Sequence, residues 1–178
     1  RYFCTPENAE LLGWGSSGTH FVLLPGDEAV YCVEPELAGE GTFVLPVGAD
    51  FREFLSHVLF CKCTSPLAQI FMMDEARFRK PLADNAANTW PGCEEDFKRR
   101  DVSLAAVAET FGIQPRDPFQ RVKALQAIFD PSVLVFSDEY YDTLGLEHPS
   151  CPEERDIITG RDVAVTTIFY TDHQEDTP

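Results

Sequence analysis

Residues 20–24 of the chain, His-Phe-Val-Leu-Leu, are apolar, Pro25-Gly26-Asp27-Glu28 is turn-forming, and residues 29–34 return to Val, Tyr and Val. Two short apolar runs around a Pro-Gly turn predict a β-hairpin. Residues 35–41 read as a loop and 42–47 as a third short strand. The period then changes. Phe51, Phe54, Leu55, Val58 and Leu59 recur at helical spacing, and Asp50 with Glu53 three residues on forms an acidic capping box, so a capped amphipathic helix follows the strands. Its apolar stripe requires a partner, most simply one face of the preceding sheet.

From residue 61 onward helical spacing dominates. Ser65-Pro66 opens a helix that continues through Leu67, Ile70 and Phe71, and Pro81 is expected to interrupt the pattern. A longer helix is expected over 94–111, with acids in its first turn, Gly112 as its stop, and Leu104, Val107, Ala108 and Phe111 on its buried side. Asp117-Pro118 starts another, carrying Phe119, Val122, Leu125, Ile128 and Phe129. Residues 132–136 read as a short strand, Ser137 as the cap of a short helix ending near Gly145, and residues 162–171 as a late strand. The pattern predicts an α+β single domain over 1–178, an antiparallel sheet packed by several helices. Residues 1–60 are mainly hairpin plus helix, 61–130 mainly helical, 131–171 mixed, and 172–178 a polar tail.

Charge sharpens this picture. The 30 acidic and 14 basic residues give a formal net charge of -16. The imbalance is uneven: residues 1–60 hold 9 acids and 2 bases, 61–136 hold 10 and 10, and 137–178 hold 11 and 2. Such a field attracts a basic partner and repels nucleic acid and anionic membranes. No stretch approaches the length of about 18 apolar residues needed for a membrane span. The six Cys form no C-x-x-C pair, the closest spacing being Cys61-Lys62-Cys63, so no metal site is assigned, and a reducing cytoplasmic setting is expected.

Residues 13–18, Gly-Trp-Gly-Ser-Ser-Gly, satisfy G-x-G-x-x-G. A dinucleotide fold would follow these glycines with a helix whose N-terminus meets the pyrophosphate. Here a strand follows. A kinase glycine loop lies between strands but needs a Lys on a later strand, and the first Lys of this chain is Lys62. The glycines therefore read as a tight turn, and no nucleotide or other cofactor is expected. Ser16 and Ser17 do not fit a nucleophile elbow. His20, His57 and His148 are not joined by spacing to any nucleophile and orienting acid, and Lys98-Arg99-Arg100 follows an acidic run that suits local salt pairing. No catalytic constellation emerges, which favours a binding protein.

The combination over residues 11–59 resembles the SUKH superfamily, relatives of the yeast cell-wall assembly regulator. It comprises the small-residue turn, the strand-turn-strand, and a helix with F-x-x-F-L at Phe51, Phe54 and Leu55. The family usually has helices with a Leu-Pro motif before the turn, where this chain has about ten residues. The resemblance implies an antiparallel sheet with helices against it. Many bacterial members are proposed to be immunity proteins that bind and neutralise toxins, often nucleases, by occlusion without turnover. The expected function is accordingly non-catalytic binding of a basic protein such as a toxin. The acids of the C-terminal third, Asp138, Glu139, Asp142, Glu147, Glu153 and Glu154, are the expected contacts. Two alternatives stay open: a small hydrolase or transferase whose acids and His148 or His20 converge in space, and a regulatory scaffold for another basic protein.

Overall fold

A computed structural model describes residues 2–87 and 92–149. Arg1–Leu146 form one compact unit, and Glu147–Pro178 fall to a second, of which only residues 147–149 are described. The expected late strand at 162–171, the polar tail, Glu153 and Glu154 lie outside the described residues.

The fold is α+β, built on one four-stranded antiparallel sheet in the order β1 (Glu10–Trp14), β2 (His20–Leu23), β3 (Val30–Val33) and β4 (Val44–Gly48). The predicted hairpin is β2–β3, in register from His20 opposite Val33 to Leu23 opposite Val30. The glycine stretch does more than lead into a strand. It is the 3-10 turn of an earlier hairpin, closed by Gly15 N–H donating to Thr19 O at 2.7 Å, with β1 on its other side.

Strand alternation explains why the sheet is buried on both faces. Phe21, Val30, Cys32 and Val47 point into one core with α1 (Phe51–Cys61), α2 (Ser65–Gln69), α3 (Glu75–Ala87) and α5 (Phe119–Ile128). Val22, Tyr31, Val33 and Val44 point into a second core. That core is completed by Cys4, Ala38, Phe43, Phe129, Phe136 and by Tyr140 of the short helix Asp138–Leu144. The first unit thus has a helical layer on one side of the sheet and, on the other, a layer drawn from residues 3–9, 37–43 and 129–144.

The capping box forms with a one-residue offset. Asp50 Oδ1 accepts from Glu53 N–H at 2.7 Å, while the Glu53 carboxylate accepts from Ala49 N–H, one residue before the cap. The stripe of α1 rotates too. Phe54 and Leu59 are buried together with Ser56 and His57, whereas Phe51 is exposed.

Four expectations need correction. Pro81 does not end a helix but lies inside α3, where Phe78, fully buried against Phe119 at 5.3 Å, anchors the segment and outweighs the lost backbone bond. The helix Glu94–Phe111, here α4, has the expected bounds and Gly112 cap, but none of its residues is buried. Leu104, Val107 and Ala108 are half-buried and Phe111 is exposed, because among the described elements α4 packs chiefly against α1, by one edge. Ile128 at the end of α5 is 82 % exposed. Residues 132–136 do not form a strand, since Pro131–Val133 is a 3-10 turn and, among the described residues, a single long-range backbone bond, Glu7 N–H to Val135 O, joins the segment to the rest.

Candidate functional site

The two layers differ in charge as sharply as in architecture. Residues 3–49 and 129–146, which supply the sheet and the second core, contain no Lys or Arg. They carry Asp or Glu at seven positions in the first stretch and four in the second. The eleven bases of the described residues lie instead between Arg52 and Lys123, and six of them are in local ion pairs. Lys62 meets Asp101 at 3.3 Å, Lys98 meets Glu95 at 2.8 Å, and Arg79 meets Glu75 at 2.9 Å and also Asp117. The expected salt pairing of Lys98-Arg99-Arg100 is present, with Arg100 bonded to Asp101 at 3.0 Å.

The helix Asp138–Leu144, now α6, presents the C-terminal acids. Ser137 and Gly145 bound it as the sequence suggests, and Asp138 and Glu139 occupy its first turn, where the helix dipole favours negative charge. Tyr140 holds it down by stacking on Phe136 at 4.3 Å and on Phe43 at 5.7 Å. Asp138, Glu139 and Asp142 are all exposed on this one helix. Glu147 is exposed in the separate unit that begins with it. What the sequence reading missed is that the N-terminal acids, Glu7 and Asp27 among them, belong to segments that build the same layer. The signal was present, because no Lys or Arg occurs between Arg1 and Arg52.

The glycine turn borders a polar cavity of about 100 Å³ lined by Gly15, Ser17, Thr19, Glu34, Glu36 and residues of α2. Thr19 Oγ1 donates to Glu34 at 2.9 Å, and burial raises the Glu34 pKa above its ordinary value. Two carboxylates stand where a phosphate would need cations, and β2 follows where a helix would be needed. Gly15 N–H is already spent on Thr19.

The buried histidines serve the fold. His20 Nδ1–H donates to Gly18 O at 2.9 Å, its Nε2 accepts from Thr5 Oγ1 at 3.0 Å, and the ring forms a three-way cluster with Tyr2 and Trp14, with centroids 4.9 to 5.8 Å apart. His57 Nδ1–H donates to Val47 O at 2.9 Å, tying α1 to β4. Burial lowers both pKa values, which keeps the rings neutral near pH 7. Burial likewise pushes the thiols of Cys4 and Cys61 up to about 11 and about 12, and Cys32 well above its usual value. Thiols so placed stay protonated and are poor nucleophiles or metal ligands. Among the described residues no group of three or more His, Cys, Asp or Glu is placed to hold a metal ion, and no helix is long and apolar enough to cross a membrane.

The sheet with one mixed-charge helical layer and one acid-only layer defines the architecture, an α+β domain with a single-sign face. Comparison with protein-family models, curated proteins and solved structures finds no match to this chain.

Proposed function

We propose that this chain is a non-catalytic protein-binding module that engages a basic protein through its acid-only layer. The observation that carries the reading is the absence of any Lys or Arg from the segments that build that layer, while every base of the described residues belongs to the opposite layer, six of the eleven in local ion pairs. Charge of one sign over one side of a small domain steers an oppositely charged partner and rejects like-charged ones. The resemblance over residues 11–59 to SUKH immunity proteins supports a more particular form: stoichiometric occlusion of a toxin, such as a nuclease whose active site is basic in order to hold phosphate.

Affinity purification from the native host provides the test, with wild type and the triple variant Asp138→Asn, Glu139→Gln, Asp142→Asn compared at low and high salt. Expected is a basic partner whose recovery falls with salt and falls again with the variant. A partner that is acidic, or whose recovery is indifferent to both changes, would overturn the proposal. If the partner is a nuclease, adding the purified chain at one equivalent abolishes its cleavage of nucleic acid.

A further inference from the structure

One side of the acid-only layer carries an open groove of about 470 Å³. Its walls are three short segments. Residues 6–8 form the first and residues 24–27 the second, a tight turn closed by Asp27 N–H donating to Leu24 O at 3.1 Å with Gly26 at φ +75°. Residues 133–135 form the third and are joined to the first by Glu7 N–H donating to Val135 O at 2.7 Å. The walls are therefore pre-formed, so little ordering cost would fall on binding.

The groove's floor and rim differ in chemistry. Val133 and Val135 are 60 % and 59 % exposed and lie beside exposed Pro25, an apolar surface left in water, with buried Leu24 beneath. Glu7 and Asp27 supply the charged groups of the lining. The Asp27 carboxylate accepts from Tyr31 Oη–H and Ala29 N–H, which hold its pKa below the usual range and keep it ionised.

We propose that this groove seats an extended segment of the basic protein partner, with small apolar side chains against Val133, Val135 and Pro25 and flanking Lys or Arg side chains toward Glu7 and Asp27. The inference rests on the reading under Proposed function. Charge selects the occupant. A second copy of the chain would bring an acidic layer against an acidic groove, and nucleic acid or an anionic membrane would meet the same repulsion.

The test is an NMR titration of the isotopically labelled full chain with the synthetic peptide acetyl-Lys-Val-Lys-Val-Lys-amide and with its Glu-for-Lys counterpart. Expected with the Lys peptide at low salt are saturable shifts at Glu7, Asn8, Gly26, Asp27, Val133 and Val135, and with the Glu peptide none. Val135→Lys should weaken the Lys peptide by about tenfold or more, since like charges juxtaposed in a contact are strongly unfavourable. Glu7→Lys, which leaves the apolar wall intact, should weaken it severalfold. Melting temperature and an unchanged amide spectrum elsewhere verify that each variant is folded. Salt-sensitive shifts centred on α6 and unaffected by either variant would overturn the groove while leaving the acid-layer reading standing. Absence of salt-sensitive binding anywhere would overturn both. Equal binding of the Glu peptide in the groove would overturn the charge assignment.

Discussion

Gly18 shows how much one residue of the small-residue turn is asked to do. It sits at φ +80°, and a Cβ there would stand 2.6 Å from Tyr2 Oη and 2.8 Å from Tyr2 Cζ. Its carbonyl accepts from His20, whose ring stacks on the same tyrosine at 5.8 Å between centroids. Gly15 is different, because its φ is not in the left-handed region and a Cβ would meet only the Thr19 side chain and carbonyl at ordinary contact distances of 3.4 to 3.6 Å. Gly18→Ala is therefore expected to lower stability by about 1 to 3 kcal/mol through strain and displacement of Tyr2. Gly15→Ala should change it by less than about 1 kcal/mol. Urea melts of the two variants check the contrast, and equal losses would show that the turn is held by something other than Gly18.

At the level of elements, the chain's local chemistry was legible wherever a cap or a turn decided the outcome. Asp50, Gly112, Ser137 and Gly145 mark real helix ends, and Pro25-Gly26 marks a real turn. It was not legible where a distant partner decided it. Residues 132–136 have strand composition, but a strand needs a neighbour along its length, and β-propensity describes fit to such a neighbour rather than a backbone preference. β1 went unrecognised for the converse reason: Glu10–Trp14 contains a glycine and two exposed large side chains, and pairing with β2 makes it a strand. The apolar stripe of α4 told which side faces the protein but not how deeply it sinks. With no buried residue and Val102 at 70 % exposure, α4 is held mainly by α1 and an exposed ion pair, and local stability follows buried contact. Hydrogen exchange should accordingly show central amides of α4 at least about tenfold less protected than those of α1. Equal protection would mean that α4 opens only when the whole domain does.

Across the whole molecule, the segregation of charge sets a competition that salt can resolve. The acid-only layer repels itself, and that repulsion acts over about 30 Å at 0.01 M salt but only about 8 Å at 0.15 M. The opposite layer holds six of its cations in ion pairs, some as exposed as Lys98 with Glu95, both more than 70 % exposed, and pairs of this kind are worth only about 0 to 1 kcal/mol each. Salt therefore removes more repulsion than attraction. The melting temperature is expected to rise as NaCl is increased from about 0.01 to 0.15 M. Glu28→Lys, at an exposed turn position between β2 and β3, should raise it at low salt and flatten its dependence on NaCl. A domain that binds by charge retains this repulsion in its free state, and a basic partner relieves it. If the melting temperature instead falls with salt, the ion pairs of the helical layer outweigh the acid layer, and the electrostatic basis of partner binding loses its support.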